Sequence, residues 1–128
     1  MSTRVGSAEK VLVCGDVRSQ FEAVFKRASA VNQKAGPFGM LICCGEFFDE
    51  RATQENENLT SGLIKVDVPT YFLGPNGKGT EHLFKDLSDG AELCPNVTYL
   101  GRCGTLTTAA GLQIAYLSGS EPEEGLTP

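Results

Sequence analysis

Apolar runs of strand length, each closed by a glycine and an acidic residue, mark the first part of the chain. KVLVC at residues 10–14 is followed by Gly-Asp, and MLICC at residues 40–44 is followed by Gly-Glu. Short runs rich in Val, Ile and Leu that stop at a turn are typical of strands buried in a parallel sheet. We predict two such strands here.

Between these strands, apolar residues recur at helical spacing. They are Phe21, Val24, Phe25, Ala28 and Val31. The spacing predicts an amphipathic helix, with a capping box of Ser19 and Glu22 at its start and Gly36-Pro37 at its end. Strand, helix and strand together predict a right-handed βαβ unit.

The next segment repeats this pattern less regularly. Residues 49–60 are polar and predict either a loose helix or a mobile loop, whereas TYFL at 70–73 predicts a third strand that ends in Gly-Pro-Asn. TEHLFKDL at 80–87 predicts a short helix.

After Pro95 the pattern becomes that of consecutive strands. Runs at 97–100, 105–108 and 112–117 are separated by segments too short for helices, so we predict that they pair as an antiparallel meander. The predicted fold class is α/β, a parallel βαβ sheet extended by an antiparallel β meander. Residues 10–119 are predicted to form this domain, with a flexible tail at 1–9 and an acidic, Pro-containing tail or linker at 120–128.

Composition limits the function classes. The 128 residues correspond to one domain, and 11 basic against 16 acidic side chains leave a net charge of −5. This balance counts against a protein that binds mainly the phosphate backbone of nucleic acid. Because no apolar run approaches the ~18 residues of a membrane span and no signal-peptide pattern occurs, we expect a soluble, non-secreted protein.

The cysteines predict free thiols. Their count of five is odd and no C-x-x-C spacing occurs, so neither a disulfide framework nor a zinc site is indicated. For Cys43 and Cys44 we expect one buried and one partly buried thiol, with a redox role as the alternative.

Polar residues follow the three predicted parallel strands. The carboxyl ends of such strands meet at one edge of the sheet, where ligands bind. The residues at these ends are Asp16, Arg18, Glu46, Asp49 and Asn76. Oxygen ligands from three strand ends would suit a divalent cation that holds a phosphate.

These strand-end motifs resemble those of a known family. GDVR at 15–18, GEFFD at 45–49 and GPN at 74–76 lie where calcineurin-type metallophosphoesterases have G-D-x-H, G-D-x-x-D and G-N-H. Longer segments resemble the N-terminal domain of the CwfJ family, splicing-associated proteins related to the yeast factor bound to the lariat debranching enzyme. These segments are CGDV (14–17), LICCGEFF (41–48), TYFLGPN (70–76), NVTYLGRCG (96–104) and GLQIAYLSG (111–119). The resemblance implies a calcineurin-like, metallophosphoesterase-related domain that is truncated.

By this resemblance the metal site is incomplete. Three positions keep an oxygen ligand of the active enzymes: Asp16, Asp49 and Asn76. Arg18 and Gly77 stand where those enzymes have His, and Glu46 replaces the bridging Asp. A guanidinium cannot ligate a metal, and two-metal chemistry needs a full ligand set. The resemblance therefore implies a vestigial crevice with no bound metal or cofactor.

Three functions stay open from the sequence. The first is a catalytically degenerate module in pre-mRNA splicing and intron lariat turnover that binds or activates the lariat debranching enzyme and contacts the late spliceosome. It would act in the nucleus, with the cytoplasm as a second location. The second is a residual metal-dependent phosphoesterase or nuclease. The third is an RNA-binding module that uses Arg18, Lys78 and Arg102. The replaced His residues favour the first over the second, and the acidic charge counts against the third.

Two further expectations concern the strand-end residues. Arg18 should lie within ion-pair reach of Asp16, Glu46 or Asp49, because clustered carboxylates need a counter-charge. Phe47 and Phe48 begin the loop after the second strand. Either they are exposed anchors for a partner, or both pack under the loop as part of the core.

Overall fold

The structure is a computed structural model that describes residues 10–74, 90–101, 103–108 and 111–117. Within these ranges it contains two helices and seven strands. In chain order they are β1 (Val11–Cys14), α1 (Phe21–Ala35), β2 (Met40–Cys43), α2 (Thr53–Thr60), β3 (Thr70–Phe72), β4 (Ala91–Cys94), β5 (Val97–Tyr99), β6 (Cys103–Thr107) and β7 (Gln113–Leu117). The fold is therefore α/β.

Five of the strands form one mixed sheet in the order β1-β2-β3-β5-β4. β1, β2, β3 and β5 run parallel to one another, and β4 pairs antiparallel with β5. All four side chains of β2 are buried, as expected for a strand with neighbours on both sides. The three predicted parallel strands are confirmed.

The predicted meander is wrong. Its first run, β5, lies in the main sheet beside β3, and only β6 and β7 pair with each other, as a separate two-stranded antiparallel sheet. The physical reason is burial: Val97 and Tyr99 of β5 are 0% and 7% exposed, whereas most side chains of β6 and β7 are exposed. A strand with buried side chains is stabilised inside a covered sheet. The pattern had not predicted β4.

Helix α1 matches the predicted amphipathic helix. Its apolar face buries Phe21, Phe25 and Ala28, and the helix ends where the amide of Gly36 donates to the carbonyl of Asn32. The predicted capping box is wrong, because the residue at the N-cap is Gln20 and no side chain caps the helix. Ser19 is instead buried, with a positive φ of 63°, and its hydroxyl bonds elsewhere.

Aromatic rings fill the space between α1 and the sheet. Phe47 stacks on Phe72 with ring centroids 4.1 Å apart and lies 5.1 Å from the ring of Phe21. Phe48 meets Phe47 and Phe72 edge-on. Phe47 and Phe48 are each 1% exposed, so the structure contradicts their interpretation as exposed partner anchors. The alternative, that both pack as core, describes the structure.

The polar segment after β2 contains a short helix rather than a mobile loop alone. Helix α2 buries Leu59 and Asn56 among otherwise polar residues. Other predictions fall outside the described residues: the two tails, the helix at 80–87, and the site residues Asn76, Gly77, Lys78 and Arg102. In the described part of the chain, neither helix is long and apolar enough to cross a membrane.

Candidate functional site

The loops that leave β1 and β2 are held together by their backbones. The amides of Val17 and Arg18 both donate to the carbonyl of Glu46, at 2.8 and 3.0 Å, and the amide of Ser19 donates to the carbonyl of Phe47. These bonds bring Asp16, Arg18 and Glu46 together at the carboxyl edge of the sheet. We call these three residues the strand-end cluster.

Both carboxylate oxygens of Asp16 have partners in this cluster. Oδ1 accepts the amide of Glu46 at 2.7 Å, and Oδ2 lies 3.3 Å from Nη2 of Arg18. Gly45 permits the first bond, because a Cβ at this position would lie 2.1 Å from Oδ1 of Asp16. The local backbone thus places the Asp16 carboxylate against the second loop.

Arg18 is the counter-charge of the cluster. Its Nε lies 3.4 Å from Oε2 of Glu46, in addition to the contact with Asp16. The prediction that Arg18 would pair with one of the strand-end carboxylates is therefore confirmed, and it pairs with two. The side chain is 60% exposed, so these pairs lie at the surface, where water and salt weaken them.

Asp49 has different partners. Its Oδ1 accepts the amide of Arg51 at 3.0 Å and lies 3.6 Å from Nε of the same residue. Its carboxylate therefore pairs with Arg51 rather than with Arg18. The structure therefore brings Asp16, Arg18 and Glu46 together, whereas Asp49 pairs with Arg51.

A buried polar cluster, which the sequence had not indicated, fixes the loops to α2. The Ser19 hydroxyl accepts the amide of Asp49 at 2.7 Å and donates to Oδ1 of Asn56. Nδ2 of Asn56 donates to the carbonyl of Asp49 at 2.9 Å. Ser19 and Asn56 are 1% and 4% exposed, so each hydrogen bond satisfies a group that would be costly to bury alone. In the sequence, Ser19 and Glu22 match a capping box, so the pattern predicts a cap and does not indicate the hydrogen bonds of Ser19 with Asp49 and Asn56.

Two thiols meet just before the strand-end cluster. The Sγ atoms of Cys14 and Cys43 are 3.3 Å apart and share a hydrogen bond. The hydrogen bond between the two thiols lowers the pKa of Cys14, whereas the same bond and burial raise the pKa of Cys43. Cys43 is buried as expected, but Cys44 is exposed rather than partly buried. In the sequence, Cys14 and Cys44 each precede a glycine and an acidic residue. In the parallel register of β1 and β2, however, Cys14 lies opposite Cys43, one residue before Cys44.

The described donors do not fit a two-metal centre. Oδ1 of Asp16 accepts the amide of Glu46, and Oδ2 lies 3.3 Å from the Arg18 guanidinium, whose positive charge disfavours a metal cation beside it. In the ranges that the structure describes, no three His, Cys, Asp or Glu side chains are placed to hold a metal ion.

The ion pairs of Arg18 should contribute little to stability. Replacing it by glutamine (Arg18→Gln) should lower the free energy of unfolding by less than about 1 kcal/mol, because both pairs are solvent-exposed. Urea denaturation at low and high salt measures this, and salt should reduce the difference. Arg51→Gln is the matched control, since Arg51 is 88% exposed and pairs with one carboxylate. A loss above about 2 kcal/mol for Arg18→Gln would contradict an exposed pair.

Comparison with known proteins identifies several proteins of similar sequence. The sequence matches no model of a known protein family. It is 47% identical over 126 residues to the CWF19-like protein 1 homolog of Drosophila melanogaster, covering 96% of this chain and 23% of that protein. Human CWF19-like protein 1 is 45% identical over 88% of this chain and 21% of its own length. Zinc finger CCCH domain-containing protein 64 of Arabidopsis thaliana is 35% identical over 91% of this chain and 22% of its own length.

These matches extend over nearly the whole chain and include animal proteins that share one name. The chain spans less than a quarter of the length of each of these curated relatives. The relationship that the motifs indicated is supported at the level of the family. The chain is therefore similar to the CWF19-like proteins over about a fifth of their length, and this similarity supports a relationship to the CWF19/CwfJ family.

Proposed function

We propose that this chain is a catalytically degenerate phosphoesterase-like module that acts in pre-mRNA splicing and intron lariat turnover. It works by binding the lariat debranching enzyme and raising its activity, in contact with late spliceosome components in the nucleus. The cytoplasm would be a second location of the protein.

The contact of Arg18 with Asp16 and Glu46 carries the degenerate part of this proposal. In the enzymes that the motifs resemble, a histidine stands at the position of Arg18 and the neighbouring carboxylates hold metal. Here a permanent cation lies 3.3 and 3.4 Å from two of those carboxylates. A guanidinium has no lone pair to offer a metal, so it supplies charge neutralisation in place of a ligand.

The relatives support the splicing part. The human relative is named CWF19-like protein 1, and the fly and nematode relatives are named as its homologs. The CwfJ resemblance associates such proteins with splicing. The net charge of −5 favours protein partners over direct contact with RNA phosphates. Lys78 and Arg102, which an RNA-binding function would require, lie outside the described residues.

The backbone bonds between the two loops support a binding function. The loops after β1 and β2 are fixed by three backbone hydrogen bonds and by the buried Ser19–Asn56 cluster. A surface held in one conformation loses little entropy when it binds a partner. This is useful for recognition even when no reaction occurs at the site.

A reconstituted debranching assay tests the proposal. Purified chain is added to purified lariat debranching enzyme, binding is measured by calorimetry, and cleavage of a synthetic branched RNA is followed. We expect direct binding and an increase of several-fold in the debranching rate. No binding and an unchanged rate would contradict the proposed partner.

Two variants test for residual catalysis. The chain alone, with manganese and a phosphodiester substrate, should show no turnover above that of Asp16→Ala. The matched control is Asp67→Ala, which removes an aspartate that pairs with Lys65 outside the strand-end cluster. Manganese-dependent turnover that is lost in Asp16→Ala and kept in Asp67→Ala would identify a residual phosphoesterase.

A further inference from the structure

The thiols of Cys14 and Cys43 lie side by side on neighbouring strands. The two residues are direct partners in the parallel register of β1 and β2. Neighbouring strands are ~4.8 Å apart, and disulfides join residues whose Cα atoms are about 4.4–6.8 Å apart. The sulfurs, at 3.3 Å, need to approach by little more than one ångström to reach the ~2.05 Å of an S–S bond.

The two thiols differ in access to solvent. Cys43 is 1% exposed, whereas Cys14 is half-buried. Cys14 lines a largely apolar cavity of about 220 Å³ between β1 and α1, together with Val13 and Arg27. Val13 is 67% exposed, so the cavity connects to solvent. A small oxidant can reach Cys14 first, and Cys43 is already in contact with it.

We propose that Cys14 and Cys43 form a reversible thiol–disulfide pair that a small peroxide oxidises. The inference uses the thiol contact and the cavity, and it does not depend on the proposed function.

The reaction balances with one molecule of hydrogen peroxide. The Cys14 sulfur attacks one peroxide oxygen, the O–O bond breaks, and a sulfenic acid forms as the first water leaves. The Cys43 sulfur then attacks the Cys14 sulfur, the S–S bond forms, and the S–O bond breaks. The second water carries away the remaining thiol proton. Together the two sulfurs lose two electrons, which the peroxide accepts, and a dithiol reverses the change by exchange.

The bond would lie immediately before the strand-end cluster. Cys14 precedes Asp16 by two residues, and Cys43 precedes Glu46 by three. The backbone also joins the strands here, since the amide of Cys44 donates to the carbonyl of Cys14. A disulfide would add a covalent link at the base of the two loops.

Peptide mapping of the oxidised chain tests the proposal. The chain is treated with a few equivalents of hydrogen peroxide, free thiols are alkylated, and trypsin releases peptides 11–18 and 35–51. We expect most of peptide 11–18 to be joined to peptide 35–51, two hydrogens lighter than the separate peptides. Dithiothreitol should restore both. Oxidation of Cys14 to sulfinic acid without a cross-link would overturn the proposal.

Cys44 requires its own control because it lies in the same peptide as Cys43. Cys44→Ser should retain the cross-link in a yield within twofold of the unchanged chain, whereas Cys14→Ser should lose it with an unchanged circular dichroism spectrum. Loss of the cross-link in Cys44→Ser would overturn the pairing. Cross-links through Cys94 or Cys103 in comparable yield would also overturn it, since they would mean unselective oxidation.

Discussion

Replacing Phe47 by alanine should lower the free energy of unfolding by about 3–5 kcal/mol, the usual range for truncating a buried phenylalanine. The ring is 1% exposed and stacks on Phe72 at 4.1 Å, with interplanar angle 7°. It also contacts Phe21 and Phe48. Removing it leaves a cavity among rings that lose their partner, and neighbouring rings cannot fill the space fully. Urea denaturation with a constant m-value measures the change.

An exposed apolar residue provides the matched control. Leu63 is 77% exposed, so Leu63→Ala should change the free energy of unfolding by less than about 0.5 kcal/mol. The milder Phe47→Leu should fall between the two and still give a folded protein for comparison. If Phe47→Ala lowered the free energy of unfolding by less than about 1 kcal/mol, the buried position of Phe47 would be contradicted.

Gly45→Ala should also be strongly destabilising, by about 2–4 kcal/mol, for two separate reasons. The backbone φ of +88° is unfavourable for any residue with a Cβ. In addition, that Cβ would lie 2.1 Å from Oδ1 of Asp16. Asp16 would have to turn away and lose its hydrogen bond to the amide of Glu46. The free energy of unfolding from urea denaturation is the measurement.

Two comparisons separate the two reasons. Gly62 has a similar φ of +85°, and a Cβ added there would have no atom within 4 Å. Gly62→Ala should therefore lower the free energy of unfolding by about 1–2 kcal/mol, through the unfavourable backbone conformation alone. If the steric contact with Asp16 causes the rest, Gly45→Ala in an Asp16→Ala background should cost no more than Gly62→Ala. Equal losses for Gly45→Ala with and without Asp16 would contradict the contact.

The local sequence pattern predicts the elements whose signals are complete within one segment. β1, β2 and β3 are short apolar runs that stop at turns, and α1 has a regular apolar face. Both signals depend on residues close in sequence, which is why they agree with the structure. The ion pair of Arg18 with Glu46 was predictable for a different reason: the ends of parallel strands meet at one edge of the sheet, which brings these two residues together.

The remaining features depend on contacts between distant segments. Nothing in the run at 97–100 shows that β5 lies beside β3, since periodicity identifies a strand but not its neighbour. Phe47 and Phe48 follow a turn that also fits a surface loop, and only the packed rings of Phe72 and Phe21 reveal that they are core. Likewise, the hydroxyl of Ser19 finds a tertiary partner in place of the local cap.

The position of β4 has a consequence for the order in which the sheet assembles. Among the strands that the structure describes, β4 pairs only with β5, and the two are joined by a two-residue turn in which Asn96 has a φ of 66°. Since β5 is the neighbour of β4 among these strands, β4 joins the main sheet through β5. Closing this short turn is a fast local event, whereas bringing β5 to β3 closes a loop of more than twenty residues, which is slower. We therefore expect β4 and β5 to form a hairpin first, and the hairpin then to dock as a unit onto the edge of β3.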